Sequence, residues 1–181
     1  MLNRKRTGLV IVDVQGKLAR LMHDSEAMHA SLKTLISGAK AIGLPILWLE
    51  QNPEKLGATS PELAELIPGE PIPKYTFSAC GEPGFVDAIE ASSVHTWLVA
   101  GIESHICVYQ TVRDLIELGR KVEVVTDCVS SRTSANRQLG IDRMLDAGAR
   151  PTSVEMCLFE LVGSCRVPEF KDCLLYTSPS P

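Results

Sequence analysis

The chain lacks the marks of a nucleic-acid or membrane partner. Its basic residues nowhere cluster beyond Arg4-Lys5-Arg6, and 18 Lys and Arg against 22 Asp and Glu leave a formal net charge of −4. Nucleic acid is not expected as a partner from such a balance. No apolar run approaches the roughly 20 residues of a membrane span, so no membrane partner is expected either. The three basic residues near the N-terminus lead almost at once into a strand, so no secretory signal is read. The six cysteines show no paired CxxC spacing, which argues against a structural zinc site. Without a secretory signal they are expected to be reduced thiols in the cytoplasm, with mitochondrial association left open. No internal repeat and no linker is found within residues 7–165.

What is present reads as one globular domain. At 181 residues, 45% apolar and 22% charged, the chain can bury a sizeable core. Residues 1–166 are assigned to this domain and 167–181 to a C-terminal extension. The extension ends in Tyr176-Thr-Ser-Pro-Ser-Pro181, which has no core-forming pattern and is expected to be disordered or non-native.

Residues 8–14 form a continuous apolar run, the signature of a central parallel strand covered on both faces, with Asp13 near its end. Asp24 or Ser25 caps a helix whose inner face reads Met28, Leu32, Leu35, Ile36 and Ala39. A second strand spans 45–50. Residues 51–80 carry five prolines and read as irregular, with a short helix from Ser60-Pro61 and a brief third strand over 72–77. A short helix over 84–91 turns Phe85 and Ile89 inward. The fourth strand, 97–100, is broken by Gly101 and followed by a helix that Gly119 closes. A fifth strand over 121–126, a helix capped by Ser134, a sixth strand over 152–154 and an apolar helix over 155–162 complete the pattern. This alternation predicts an α/β fold of three layers, with a mostly parallel, doubly wound sheet of about six strands between helices. In the Rossmann-like order 3-2-1-4-5-6, strands one and four flank the ligand crevice. Asp13 and Cys107 then meet there.

Cys107 lies in the first turn of the helix after strand four. Unpaired N–H groups and the positive end of the dipole favour a thiolate there. It is the candidate nucleophile, the ordinary alternative being a small buried hydrophobe. Cys128 also follows a strand but lacks a helix start, and Cys157 sits in an apolar helix; both read as structural. Asp13 is either a general base for Cys107 or a carboxylate bonded to loop amides. Lys74 is either a solvated lysine or the cation that keeps Asp13 ionised. His105 is the other candidate base, but two residues apart on a helix the side chains diverge. Asp127 reads as structural.

The segments Leu9-Val-Ile-Val-Asp-Val-Gln15, Pro73-Lys74 and Gly101-Ile-Glu-Ser-His-Ile-Cys-Val108, in that order, resemble the isochorismatase-like cysteine hydrolase superfamily, and 125–132 also fits. The resemblance covers roughly residues 7–165. It implies an Asp-Lys-Cys triad, here Asp13, Lys74 and Cys107. It further implies a cis peptide at Ile102–Glu103 and an oxyanion site on the amides near Glu103 and Cys107. Gln15, Trp48, Phe77 and Tyr109 are the candidate substrate-binding residues. Nicotinamidases of this superfamily bind a metal through Asp-x-His and a further His. The corresponding loop here reads Glu50-Gln-Asn-Pro53, and no histidine occurs between His29 and His95, so no metal and no cofactor is expected. Isochorismatases of siderophore synthesis lack the cysteine. The expected activity is therefore hydrolysis of a small amide or imide through an acyl-enzyme on Cys107, in a homo-oligomer. A thiol redox sensor and an oligomeric scaffold are the alternatives.

Overall fold

A computed structural model describes residues 1–168 and Lys171; the expectation for residues 176–181 lies outside them. The elements are β1 (Thr7–Val12), α1 (Gly16–Arg20), α2 (Ser25–Ala41), β2 (Ile46–Gln51), α3 (Pro53–Leu56), α4 (Pro61–Ala64), β3 (Ile72–Lys74) and α5 (Pro83–Ala91). They continue with β4 (Thr96–Ile102), α6 (Tyr109–Glu117), β5 (Lys121–Ser130), α7 (Ser134–Asp146), β6 (Arg150–Thr152) and α8 (Val154–Val162). One sheet of six strands runs β3-β2-β1-β4-β5-β6, with all its pairings parallel. The α/β class and the strand order are those expected.

Every residue of β1 is buried, because helices cover both faces. Leu9 and Ile11 face one apolar layer with α2 and α8, while Val10 and Val12 face the other with α5, α6 and α7. The five positions read as the inner face of α2 are all buried, as are Phe85 and Ile89 of α5.

Several boundaries differ from the sequence reading, each for a local reason. β4 continues through Gly101, which pairs with Val12 on one side and Val129 on the other. Its φ of +122° is open to glycine, and a Cβ there would stand 2.1 Å from the Val12 carbonyl oxygen. β5 extends to Ser130 over an irregularity: Val99 opposes Val124, yet Gly101 opposes Val129. Cys128 therefore sits inside a strand, fully buried. Asp127, in the same irregular stretch, accepts from the Val154 amide at the start of α8. β6 is Arg150–Thr152 because Ser153 turns out to cap α8, accepting from the Met156 amide. Thr133, not Ser134, caps α7. β3 stops at Lys74, where the chain folds back around its own ammonium group. The short helices α1 and α3 have no periodic pattern long enough to announce them.

Gly101→Ala is expected to lower the unfolding free energy by about 3 kcal/mol or more. Gly43→Ala, also at positive φ but with no atom near its Cβ position, should lose only about 1 kcal/mol. Urea denaturation of both variants checks the contrast.

Candidate active site

Asp13 is the residue at which β1 leaves the sheet. Its φ of +54° lies in the left-handed region, which aspartate tolerates better than most residues. The backbone is pinned there: its amide donates to the Leu49 carbonyl at 3.2 Å, and its carbonyl accepts from Gln15 N at 2.8 Å. The side chain turns into the crevice between β1 and β4 and is 3% exposed.

Lys74 comes from the end of β3, across β2. Its Nζ is 2.8 Å from Asp13 Oδ2, and the side chain is fully buried. The same ammonium donates to Gln51 Oε1 and, at 3.1 Å each, to the carbonyls of Thr76 and Phe77. A buried cation survives only when fenced by acceptors in this way.

Cys107 lies in a wide helical turn of π type, Ser104–Val108, that precedes α6. The Ile102–Glu103 peptide before it is cis. The Glu103 carbonyl accepts from the amides of Ile106 and Val108. α7 presses on this turn so closely that a Cβ at Gly140 would come within 2.5 Å of the Ser104 carbonyl carbon. The thiol is 8% exposed and shares the crevice wall with Asp13.

The electrostatics correct one expectation. Burial, reinforced by the Asp13 carboxylate and only partly offset by Lys74, pushes the Cys107 thiol up to about 12. The helix start does not make this sulfur a thiolate at rest. Burial also raises Asp13, against the lowering effect of Lys74 and of the thiol. The resting arrangement is therefore S–H beside a carboxylate that an ammonium holds in place.

The crevice has a volume of about 140 Å³, close to the ~150 Å³ that accommodates a benzene-sized molecule. Asp13, Gln51, Glu103 and Cys107 supply its polar wall; Leu18, Leu56, Phe77, Ile102 and Ile106 supply the apolar one. Of the four expected substrate-binding residues, Phe77 lines it. Gln15 does not: it is fully buried, and its amide binds the backbone of Gln51 and Gly57. Trp48 belongs to the apolar layer under α2. The Tyr109 hydroxyl accepts from Arg143, away from the crevice. Leu18 and Leu56 escaped the sequence reading because they stand on α1 and α3. His105 bonds Ser131 Oγ at 3.0 Å. Glu103 Oε2 accepts from both the amide and Nε of Arg132. Among the described residues, no three His, Cys, Asp or Glu side chains converge as a metal site would require.

Comparison with known proteins identifies the family and the fold. Residues 7–156 match the model of the Isochorismatase domain. The secreted isochorismatase effector Isc1 of Phytophthora sojae is 33% identical over 169 residues, covering 90% of this chain and 80% of the relative. The solved MAR1 ribonuclease of Caenorhabditis elegans superposes with a TM-score of 0.92 at 34% identity, covering 99% of this chain and 94% of that one. YcaC of Escherichia coli, described as an octameric hydrolase of unknown specificity, superposes with a TM-score of 0.91 at 25% identity, covering 97% and 89%. YcaC of Pseudomonas aeruginosa, solved with hexane-2,5-diol and a covalent acrylamide, gives 0.90 at 25% identity, covering 97% and 90%. The chain thus belongs to the isochorismatase domain family, with that family's hydrolase fold.

Proposed function

We propose that the protein hydrolyses a small amide or imide through an acyl-enzyme on Cys107. The observation that carries this reading is the buried Lys74–Asp13 pair, 2.8 Å apart, with Cys107 in the same crevice wall as that carboxylate. Sγ attacks the carbonyl carbon while its proton passes to Asp13. The carbonyl oxygen becomes an oxyanion held by the backbone amides near Glu103 and Cys107. The C–N bond then breaks, and Asp13 returns the proton to the departing nitrogen. Water attacks the thioester with Asp13 again as base, and the acid leaves as Cys107 regains its proton. Lys74 keeps Asp13 ionised between these transfers without entering them.

The raised thiol also weighs against the redox-sensor alternative. Peroxide-sensing cysteines are exposed and of low pKa, whereas this one is buried and protonated. Covalent acrylamide in Pseudomonas aeruginosa YcaC supports a site of this fold that reacts with carbonyl-bearing electrophiles. The Caenorhabditis elegans neighbour is named a ribonuclease. A net charge of −4 and a crevice walled by two carboxylates favour a small uncharged substrate over a polyanion. The octameric Escherichia coli neighbour, with exposed Leu21, Tyr75, Leu139 and Met156 here, supports a homo-oligomer. No helix of the described residues is long and apolar enough to cross a membrane. The five described cysteines are all free, which supports residence in a reducing compartment such as the cytoplasm.

Against a panel of small primary amides and imides, Cys107→Ala is expected to abolish turnover. Asp13→Asn should lower kcat/KM by about 100-fold or more. Full activity in both variants overturns the mechanism. The pH profile gives a second check. Asp13 must be ionised to take the thiol proton, so kcat/KM should fall as pH drops through a value above the usual 3.8 of a carboxylic acid. No rising limb is expected near the ordinary thiol value of 9.0, because burial holds Cys107 protonated to about 12. A rate that climbs with thiolate formation near pH 9.0 contradicts proton transfer to Asp13.

A further inference from the structure

We infer that Glu103 selects the substrate: its Oε1 receives an N–H of a neutral or cationic carbonyl compound, and the crevice turns carboxylates away. This rests on the reading of Cys107 as the nucleophile and goes on to say which substrates reach it. Glu103 Oε2 is fully engaged, accepting from the Arg132 amide and from Arg132 Nε, each at 3.1 Å. Among the described residues Oε1 has no donor. The side chain is only 8% exposed, yet it stands in the crevice wall with Cys107 and Asp13. A mostly buried carboxylate whose second oxygen takes no protein donor can accept one from a substrate. Glu103 immediately precedes the turn, Ser104–Val108, that carries the nucleophile.

The charges around the crevice set the sign of the selection. No wall residue is Lys, Arg or His. Each wall carboxylate already has its own cation: Lys74 stands 2.8 Å from Asp13 and Arg132 3.1 Å from Glu103. A substrate carboxylate would meet two carboxylates and no unpaired cation, while its own hydration was stripped away. A dicarboxylate of the kind the family's name denotes is poorly suited to this wall. A carboxamide, an imide or an amine-bearing acyl compound fits it.

The test compares two alkylating agents of nearly equal size on the full chain. Iodoacetamide is neutral and carries N–H donors; iodoacetate is anionic and carries none. Second-order labelling rates of Cys107 are read by intact mass and peptide mapping at one mildly alkaline pH, with glutathione as reference. The rate ratio of iodoacetamide to iodoacetate at Cys107 is expected to exceed that of glutathione by about 10-fold, a modest effect for one like charge at close range. Glu103→Gln keeps the shape and an acceptor for Arg132, and should bring the ratio to within about 3-fold of glutathione's. Glu103→Met, uncharged and of similar volume, is the second variant, and thermal melting verifies the fold of each. A wild-type ratio equal to that of glutathione overturns the inference, as does a raised ratio that both folded variants retain. Failure of iodoacetamide to label Cys107 removes the nucleophile reading itself, and this inference with it.

Discussion

The contact on which the site depends is the ion pair between Lys74 and Asp13, sealed from water. Neither partner is tolerable alone at that depth. An unpaired ammonium or carboxylate there would have to neutralise itself or admit water. Together they fix the ends of β1 and β3 against each other across β2, and they hold a negative charge beside a protonated thiol. The pair does not make the cysteine anionic. It keeps a proton acceptor ready where the proposed attack on a carbonyl would release a proton. In the proposed mechanism, sulfur chemistry is governed by proton transfer at the moment of reaction rather than by a standing thiolate.

The backbone around that pair is arranged for close approach. Gly101 lets β4 pass near the Val12 carbonyl, which a side chain would block. Gly140 lets α7 rest on Ser104 and His105. Both glycines serve the same end, since they bring the Cys107 turn down onto the end of β1. Asp127 works at a distance, by fastening the start of α8 to the irregular part of β5.

Much of this was legible in the amino-acid sequence. The apolar runs of β1 and β4 and the placement of Asp13 and Cys107 after them follow from burial on both faces of a parallel sheet. The inner face of α2 follows from its period. The parts that were not legible share one cause, because they depend on contacts between segments distant in the chain. α1 and α3 are single turns without periodicity, so Leu18 and Leu56 could not be assigned to the crevice. Gln15 looked like a ligand because it follows Asp13, but its amide stitches two loops together. The local signal at Cys107, a helix start, points toward an acidic thiol. The deciding terms, burial and the Asp13 carboxylate, come from the tertiary structure and point the other way.

The Thr76 and Phe77 contacts to the buried ammonium are made by backbone carbonyls, not by side chains. Any residue can present a carbonyl. The aromatic ring at the mouth can therefore be exchanged without disturbing the group that sets the charge beneath it. A scaffold of this kind leaves the rim open to point mutation while the buried charge pair beneath it is inherited unaltered.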